Sequence, residues 1–201
     1  MMMQLAIGKQ SDGSDYLIPI AESNLFVSYV EKDQIEMLFG NLLACFGQQV
    51  KVFLSASALQ VEKLKALNKN LVAEPDIVLL EMAYKELKAR RKAATVKAPV
   101  FILIEDIWSW VLMANKKGRS TRLTDLLTIG PEYQIFMICA SAISLRNLLT
   151  QLIDNNPKLK SRLTASQHPR PVGALGAELI YTAEDFVYYK KKGSIEFERL
   201  Y

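Results

Sequence analysis

The sequence predicts an α/β protein, with a mostly parallel sheet, helices on both faces and short antiparallel strands at the chain ends. Three observations carry this. Apolar runs of strand length alternate with segments whose apolar residues recur at helical spacing. One run, Val100-Phe101-Ile102-Leu103-Ile104, is apolar without interruption, which marks a strand buried on both faces. The short runs near the two ends are joined by turn signals instead of helices. The uninterrupted run stops at Glu105 and Asp106. Two carboxylates are therefore expected at the C-terminal edge of the sheet, where open α/β sheets place ligands.

Taken in order, Gln4 to Ile7 and Tyr16 to Ile20 read as a hairpin around the Asp12-Gly13 turn. Asn24 to Tyr29 is the next strand, and Val30 to Asp33 a polar break. From Gln34 to Phe46, the residues Ile35, Leu38, Leu42, Leu43 and Phe46 form a helical stripe, with Asp33 as N-cap and Gly47 as stop. Val50 to Leu54 reads as a buried strand. Ser57 caps a helix carrying Leu59, Val61, Leu64 and Leu67. Pro75 opens a longer helix, from Asp76 to Lys92, whose second half is strongly basic. Pro99 stands at the start of the apolar run, where a missing N–H matters least. Ile107 to Met113 and Leu123 to Ile129 are helical, with Gly130-Pro131 ending the second. Gln134 to Cys139 is a further buried strand that delivers Ala140 and Ser141 to the edge where Glu105 and Asp106 stand. Beyond it, a helix is expected over Ile143 to Ile153, a short strand over Arg162 to Ala165 and a turn over His168 to Pro171. Strands follow at Ala177 to Tyr181, Phe186 to Tyr189 and Ile195 to Tyr201.

With 201 residues, half of them apolar, the chain can bury a full core, and residues 1–201 read as a single domain. Cys45 and Cys139 fall inside apolar patterns, so buried free thiols are expected rather than a disulfide. Two cysteines and one histidine do not make a usual zinc site, and no metal site is expected. No apolar run approaches the roughly 18 residues of a membrane span, and the N-terminus lacks a secretory signal. A reducing, cytoplasmic setting is expected. The net charge of +4 comes from clustered cations, notably Lys85, Lys88, Arg90, Arg91 and Lys92, and Lys116, Lys117, Arg119 and Arg122. Such clusters are usually solvated faces; their alternative use is nucleic-acid binding.

The order of pieces resembles the FtsK/SpoIIIE family of P-loop motor ATPases. Ile7-Gly8-Lys9 with Asp12-Gly13 resembles the family's lead-in, and Leu25-Phe26-Val27-Ser28 the strand that enters its phosphate loop. Glu81-Met82 with Arg90-Arg91 resembles the Glu-Met-basic helix before Walker B. Phe101 to Asp106 resembles Walker B itself, and Gln134 to Ser141 the strand carrying a polar sensor. Leu152-Ile153, Asn156-Pro157 and Arg162 follow in order, then Glu178-Leu179-Ile180-Tyr181 as the late hairpin. The resemblance spans nearly the whole chain and implies a RecA-like P-loop NTPase fold, with relatives among DNA translocases and type VII secretion ATPases.

The departures fall at the phosphate loop, G-x-x-x-x-G-K-[ST], whose glycines, lysine and hydroxyl hold phosphate and magnesium. The corresponding window runs from Tyr29 to Glu36. Tyr29 and Gln34 replace the glycines, Ile35 the lysine and Glu36 the hydroxyl, while Lys32 sits away from the functional position. Non-glycine residues resist positive φ, and Glu31, Asp33 and Glu36 place negative charge at a helix start that would otherwise attract phosphate. At Walker B the family's Asp-Glu order becomes Glu105-Asp106. Ser141 stands in for the sensor hydroxyl, with Ala142 where the family usually has glutamine.

Other chemistries find little footing. No nucleophile elbow, HExxH pair or EF-hand loop occurs, and the lone His168 lies in a loop segment. Glu105 and Asp106 would act as an acid/base pair only if the strand ended between them, since neighbours on a strand face opposite ways. The expected function is thus that of a non-hydrolytic, ATPase-like module, structural, regulatory or partner-docking, in a larger motor or secretion-type assembly. Expected partners are proteins, including related ATPase domains, with no bound cofactor. The alternatives are an active ATP- and magnesium-dependent DNA translocase using Glu105 and Asp106, or a nucleic-acid-binding module using the basic clusters.

Overall fold

The computed structural model describes residues 3–46, 50–55, 58–93, 98–142, 175–182, 187–194 and 196–200. Strands β1 (Gln4–Lys9) and β2 (Asp15–Pro19) pair antiparallel as a separate hairpin. Gly13 turns it at φ +83°, a conformation that side chains resist. The remaining elements are β3 (Asn24–Ser28), α1 (Lys32–Cys45), β4 (Lys51–Ser55), α2 (Ala58–Lys65), β5 (Leu71–Ala73), α3 (Asp76–Lys92), β6 (Val100–Ile104), α4 (Ile107–Lys116), α5 (Ser120–Ile129), β7 (Ile135–Ser141), β8 (Gly176–Tyr181), β9 (Val187–Lys190) and β10 (Glu198–Leu200).

Among the described residues, eight strands form one sheet in the order β10-β9-β8-β3-β7-β6-β4-β5. The six from β8 to β5 run parallel, and β9 and β10 add antiparallel at one edge. The predicted mostly parallel sheet with antiparallel strands toward the chain ends is therefore present. From β3 the chain crosses to β4 on one side, while β7 leads to β8 on the other. The C-terminal ends of β3 and β7 thus lie at a topological switch point, where such sheets open a crevice.

Both faces of the sheet are buried. Along β6, Phe101 and Leu103 join the core under α1 and α2, while Val100, Ile102 and Ile104 join the core under α3, α4 and α5. Phe101 stacks on Phe46 with ring centroids 4.2 Å apart. This two-sided burial is what the uninterrupted apolar run encodes. The strand is interior, although β3 and β7 hold the middle of the order. Trp110 is fully buried, so this tryptophan packs rather than presenting a stacking face.

Several expectations need correction. Helix α1 starts at Lys32 with Glu31 as its N-cap, so Val30 to Asp33 is not all break and Asp33 lies inside the first turn. Cys45 is exposed while Cys139 is buried; both are free. Cys45 ends α1 and sits roughly a quarter-turn around from the centre of its buried stripe. The three-residue strand β5 was not anticipated. Helix α5 begins three residues before Leu123, and the last strand is only Glu198–Leu200. The expectations for residues 143–153, 162–165 and 168–171, for Gly47 and Ser57, and for residues 183–186 fall outside the described residues.

Candidate functional site

The switch-point crevice is built from the ends of β3, β7 and β6. Strand β3 stops at Ser28, which pairs with Ser141 of β7, and the Tyr29 N–H donates to the Ser141 carbonyl at 3.2 Å. Three residues, Tyr29, Val30 and Glu31, then separate β3 from α1. The Gln34 side chain closes this short turn. Its Oε1 accepts the Val30 N–H at 3.0 Å and the Glu31 N–H at 3.1 Å. Its Nε2 donates to the Thr182 carbonyl just past β8, at 3.2 Å. A Gln three residues after the cap, reaching back to the cap N–H, is half of a capping box. It satisfies donors that a helix start otherwise leaves open.

The other window positions are committed as well. Ile35, at the lysine position, is buried in the core below. Glu36, at the hydroxyl position, pairs with Lys63 of α2 at 3.5 Å. Lys32 reaches across the crevice, its Nζ 3.0 Å from Glu105 Oε1. The Tyr29 hydroxyl donates to the Glu105 carbonyl at 3.5 Å. Burial, then the carboxylates of Glu105 and Asp106, hold the Tyr29 phenol above the usual tyrosine range. So Tyr29, Lys32, Glu105 and Ser141 do meet at one edge.

The two carboxylates of that edge have separate tasks. Strand β6 ends at Ile104, before both of them. Glu105 turns toward Lys32, and its N–H is held by the Ser55 carbonyl of β4 at 2.9 Å. Asp106 caps α4: Oδ1 accepts the Trp108 N–H at 3.0 Å and Oδ2 accepts the Ser109 hydroxyl at 2.6 Å. Behind them, Trp110 Nε1 donates to Ser55 Oγ at 3.0 Å, and Ser55 donates on to Asp76 at the start of α3. This Ser55–Asp76–Trp110 chain had no sequence signal, because its members are 21 and 55 residues from Ser55. Among the described residues, no group of three or more His, Cys, Asp or Glu side chains converges in a way that would hold a metal ion.

No family model matches the chain, and no curated protein matches it by sequence. Solved structures do match. The chain is similar to Thermomonospora curvata EccC (ATPases 2 and 3) in complex with a signal sequence peptide, with a TM-score of 0.64 at 10% identity over 99% of this chain. It is similar to the pCW3 conjugation coupling protein TcpA with ATPγS, at 0.61 and 11% over 100%. It is similar to the cytoplasmic domain of EssC, at 0.61 and 9% over 99%. The chain has the fold of the FtsK/SpoIIIE-type motor ATPase domains. At such identities the likeness is one of fold. The chain spans 40%, 65% and 42% of those three proteins.

The three segments that the sequence resemblance likens to the phosphate-loop strand, the sensor strand and Walker B are β3, β7 and β6, adjacent in the sheet. The order of those segments along the sequence therefore corresponds to neighbouring strands in space. In the sequence, Gln34 stands out only as a residue occupying a position where the phosphate-loop pattern has glycine. Its spacing from Glu31 was the available signal, weakened because Glu is not among the preferred N-cap residues.

Proposed function

We propose that this chain is a non-hydrolytic, ATPase-like module that serves a larger motor or secretion-type assembly by docking protein partners. The single observation that carries this reading is the Gln34 side chain seated on the Val30 and Glu31 N–H groups. A phosphate loop holds its ligand with backbone N–H groups of this kind. Here the protein's own amide oxygen takes them.

Three further features support the reading. Helix α1 begins at the fourth position of the eight-residue window, leaving a turn of only Tyr29 to Glu31 where strand and helix should be joined by a phosphate loop. The lysine position is filled by the buried Ile35, and Lys32 is drawn to Glu105. Exposed Glu31 and Asp33 add negative charge where a triphosphate would sit. These residues do not fit ATP and magnesium in the usual pose. The docking role is supported by the fold's occurrence as parts of longer proteins named as a secretion ATPase and a conjugation coupling protein. One of these, EccC, is named in complex with a signal sequence peptide.

The test is isothermal titration calorimetry with Mg-ATP and with ATPγS. No heat of binding is expected up to millimolar nucleotide, and micromolar affinity for either would overturn the reading. The competing assignment, an active ATPase with Glu105 and Asp106 in Walker B roles, draws on the placement of both at the switch-point edge. It requires steady-state ATP turnover that Asp106→Ala abolishes.

A further inference from the structure

We propose that the outer face shared by α3 and α5 binds an acidic segment of a partner protein. The proposal rests on the docking-module reading and names the chemistry of the partner. Two cation clusters, distant in sequence, meet here. Helix α3 exposes Lys85, Lys88 and Lys92 at i, i+3 and i+7, which places them in one stripe, with Arg91 exposed beside it. Arg119 and Arg122, before and within α5, close on α3. Arg119 Nε lies 2.8 Å from Glu81 Oε1, and Arg122 Nη1 pairs with Glu81 Oε2.

Tyr84 is the hub of this face. Lys88 Nζ stands 4.9 Å from its ring centroid and Arg122 Cζ 5.5 Å from it, so both cations lie on one aromatic ring. The Tyr84 hydroxyl donates to Asp125 of α5 at 3.4 Å, tying the two helices together beneath the cations. The six cations are offset by Glu81 and Asp125, which leaves the face strongly positive. The arginines are held in place by Glu81 before any partner arrives, so less side-chain freedom is lost on binding.

The shape favours a peptide over nucleic acid. From Lys85 to Lys92 the stripe rises only about 10 Å. Tight phosphate-backbone binding draws on roughly 6–10 phosphate contacts. The carboxylates of Glu81 and Asp125 inside the patch would oppose an unbroken run of phosphates. An Asp/Glu-bearing segment can space its charges to fall on Lys85, Lys88, Lys92 and Arg122 and leave those two positions uncontacted.

The experiment is fluorescence anisotropy on the whole chain with a short fluorescein-labelled peptide of alternating glutamate and alanine. The peptide is expected to bind at low salt and to be released as salt rises. The double variant K85E/K88E, on exposed residues, is expected to weaken binding by about tenfold or more. R122Q, on the other helix, is expected to weaken it as well. K191E/K192E carries the same charge change beyond β9 and is expected to stay within about twofold of the parent. Absence of peptide binding, equal loss in K191E/K192E, no loss in K85E/K88E, or tighter binding to a single-stranded oligonucleotide would each overturn the proposal. Nucleotide calorimetry reads the other edge of the molecule. A positive result there removes the proposed function, whereas a failed peptide titration removes only this inference.

Discussion

Gln34 holds together three pieces of chain that are far apart in sequence: the turn after β3, the start of α1 and the residue after β8. Gln34→Ala removes all three hydrogen bonds and leaves two N–H groups to water. The expected cost is about 1–2 kcal/mol, read as a lower urea midpoint. An unchanged midpoint would mean that the amide is incidental. The Lys32–Glu105 pair matters less to stability. The Lys32 side chain is 56% exposed, so Lys32→Ala should cost under about 1 kcal/mol. At this scale the sequence was only partly legible. The family resemblance implied a window that departs from the phosphate-loop pattern, but not that the Gln34 amide binds the Val30 and Glu31 N–H groups. That fact depends on where α1 begins, and helix boundaries are set by cap geometry more than by pattern.

At the scale of elements, one tight constraint is the approach of β8 to β3. A Cβ placed on Gly176 would lie 2.2 Å from the Asn24 backbone oxygen, so no side chain fits there. Asn24 itself is fully buried. Its Nδ2 donates to the Leu127 and Leu175 carbonyls at 2.8 and 3.1 Å, and its Oδ1 accepts the Met137 N–H at 2.9 Å. One side chain thus pins β3, β7, α5 and the start of β8 just where the parallel strands begin. Gly176→Ala is expected to cost about 2–4 kcal/mol, measured as a drop in Tm, because backbone must move to admit the methyl. A variant as stable as the parent would contradict this packing. Neither residue stood out in the sequence. Asn24 reads only as the first residue of its strand, and Gly176 falls one position before the expected strand Ala177 to Tyr181. Strand β5 was missed because Leu71–Ala73 is too short to display any period.

Over the whole molecule, the fold was legible because parallel strands covered on both faces must be apolar along their length, and such runs stand out in any sequence. Helices covering them show their stripes. The site was less legible, since its groups gather from distant positions only after the sheet forms. Among the described residues, five tyrosines with raised phenol pKa values are spread through this architecture. Burial is the leading cause in each: Tyr16 on the hairpin, Tyr29 at the crevice, Tyr84 on α3, and Tyr181 and Tyr189 at the antiparallel edge. Tyr181 is pushed up to about 12. The unfolded chain loses these protons near pH 10 while the folded chain keeps them. Their contribution is therefore intact below about pH 10 and is lost as pH rises toward the folded values. Urea midpoints should fall steeply above about pH 10, in step with a delayed phenolate absorbance; a flat profile would refute it.

The shortness of the turn between Ser28 and Lys32 limits how this protein could be changed. Were the proposed function correct, exchanging Tyr29, Gln34, Ile35 and Glu36 for the residues of a phosphate loop would not recover nucleotide binding. The first turn of α1 already occupies the second half of that window, and Ile35 anchors it in the core. Length would have to be inserted before α1, and Lys32 would have to leave Glu105. A change that requires added residues is not reached by single substitutions, so the crevice would be held in its present state by its backbone as much as by its side chains.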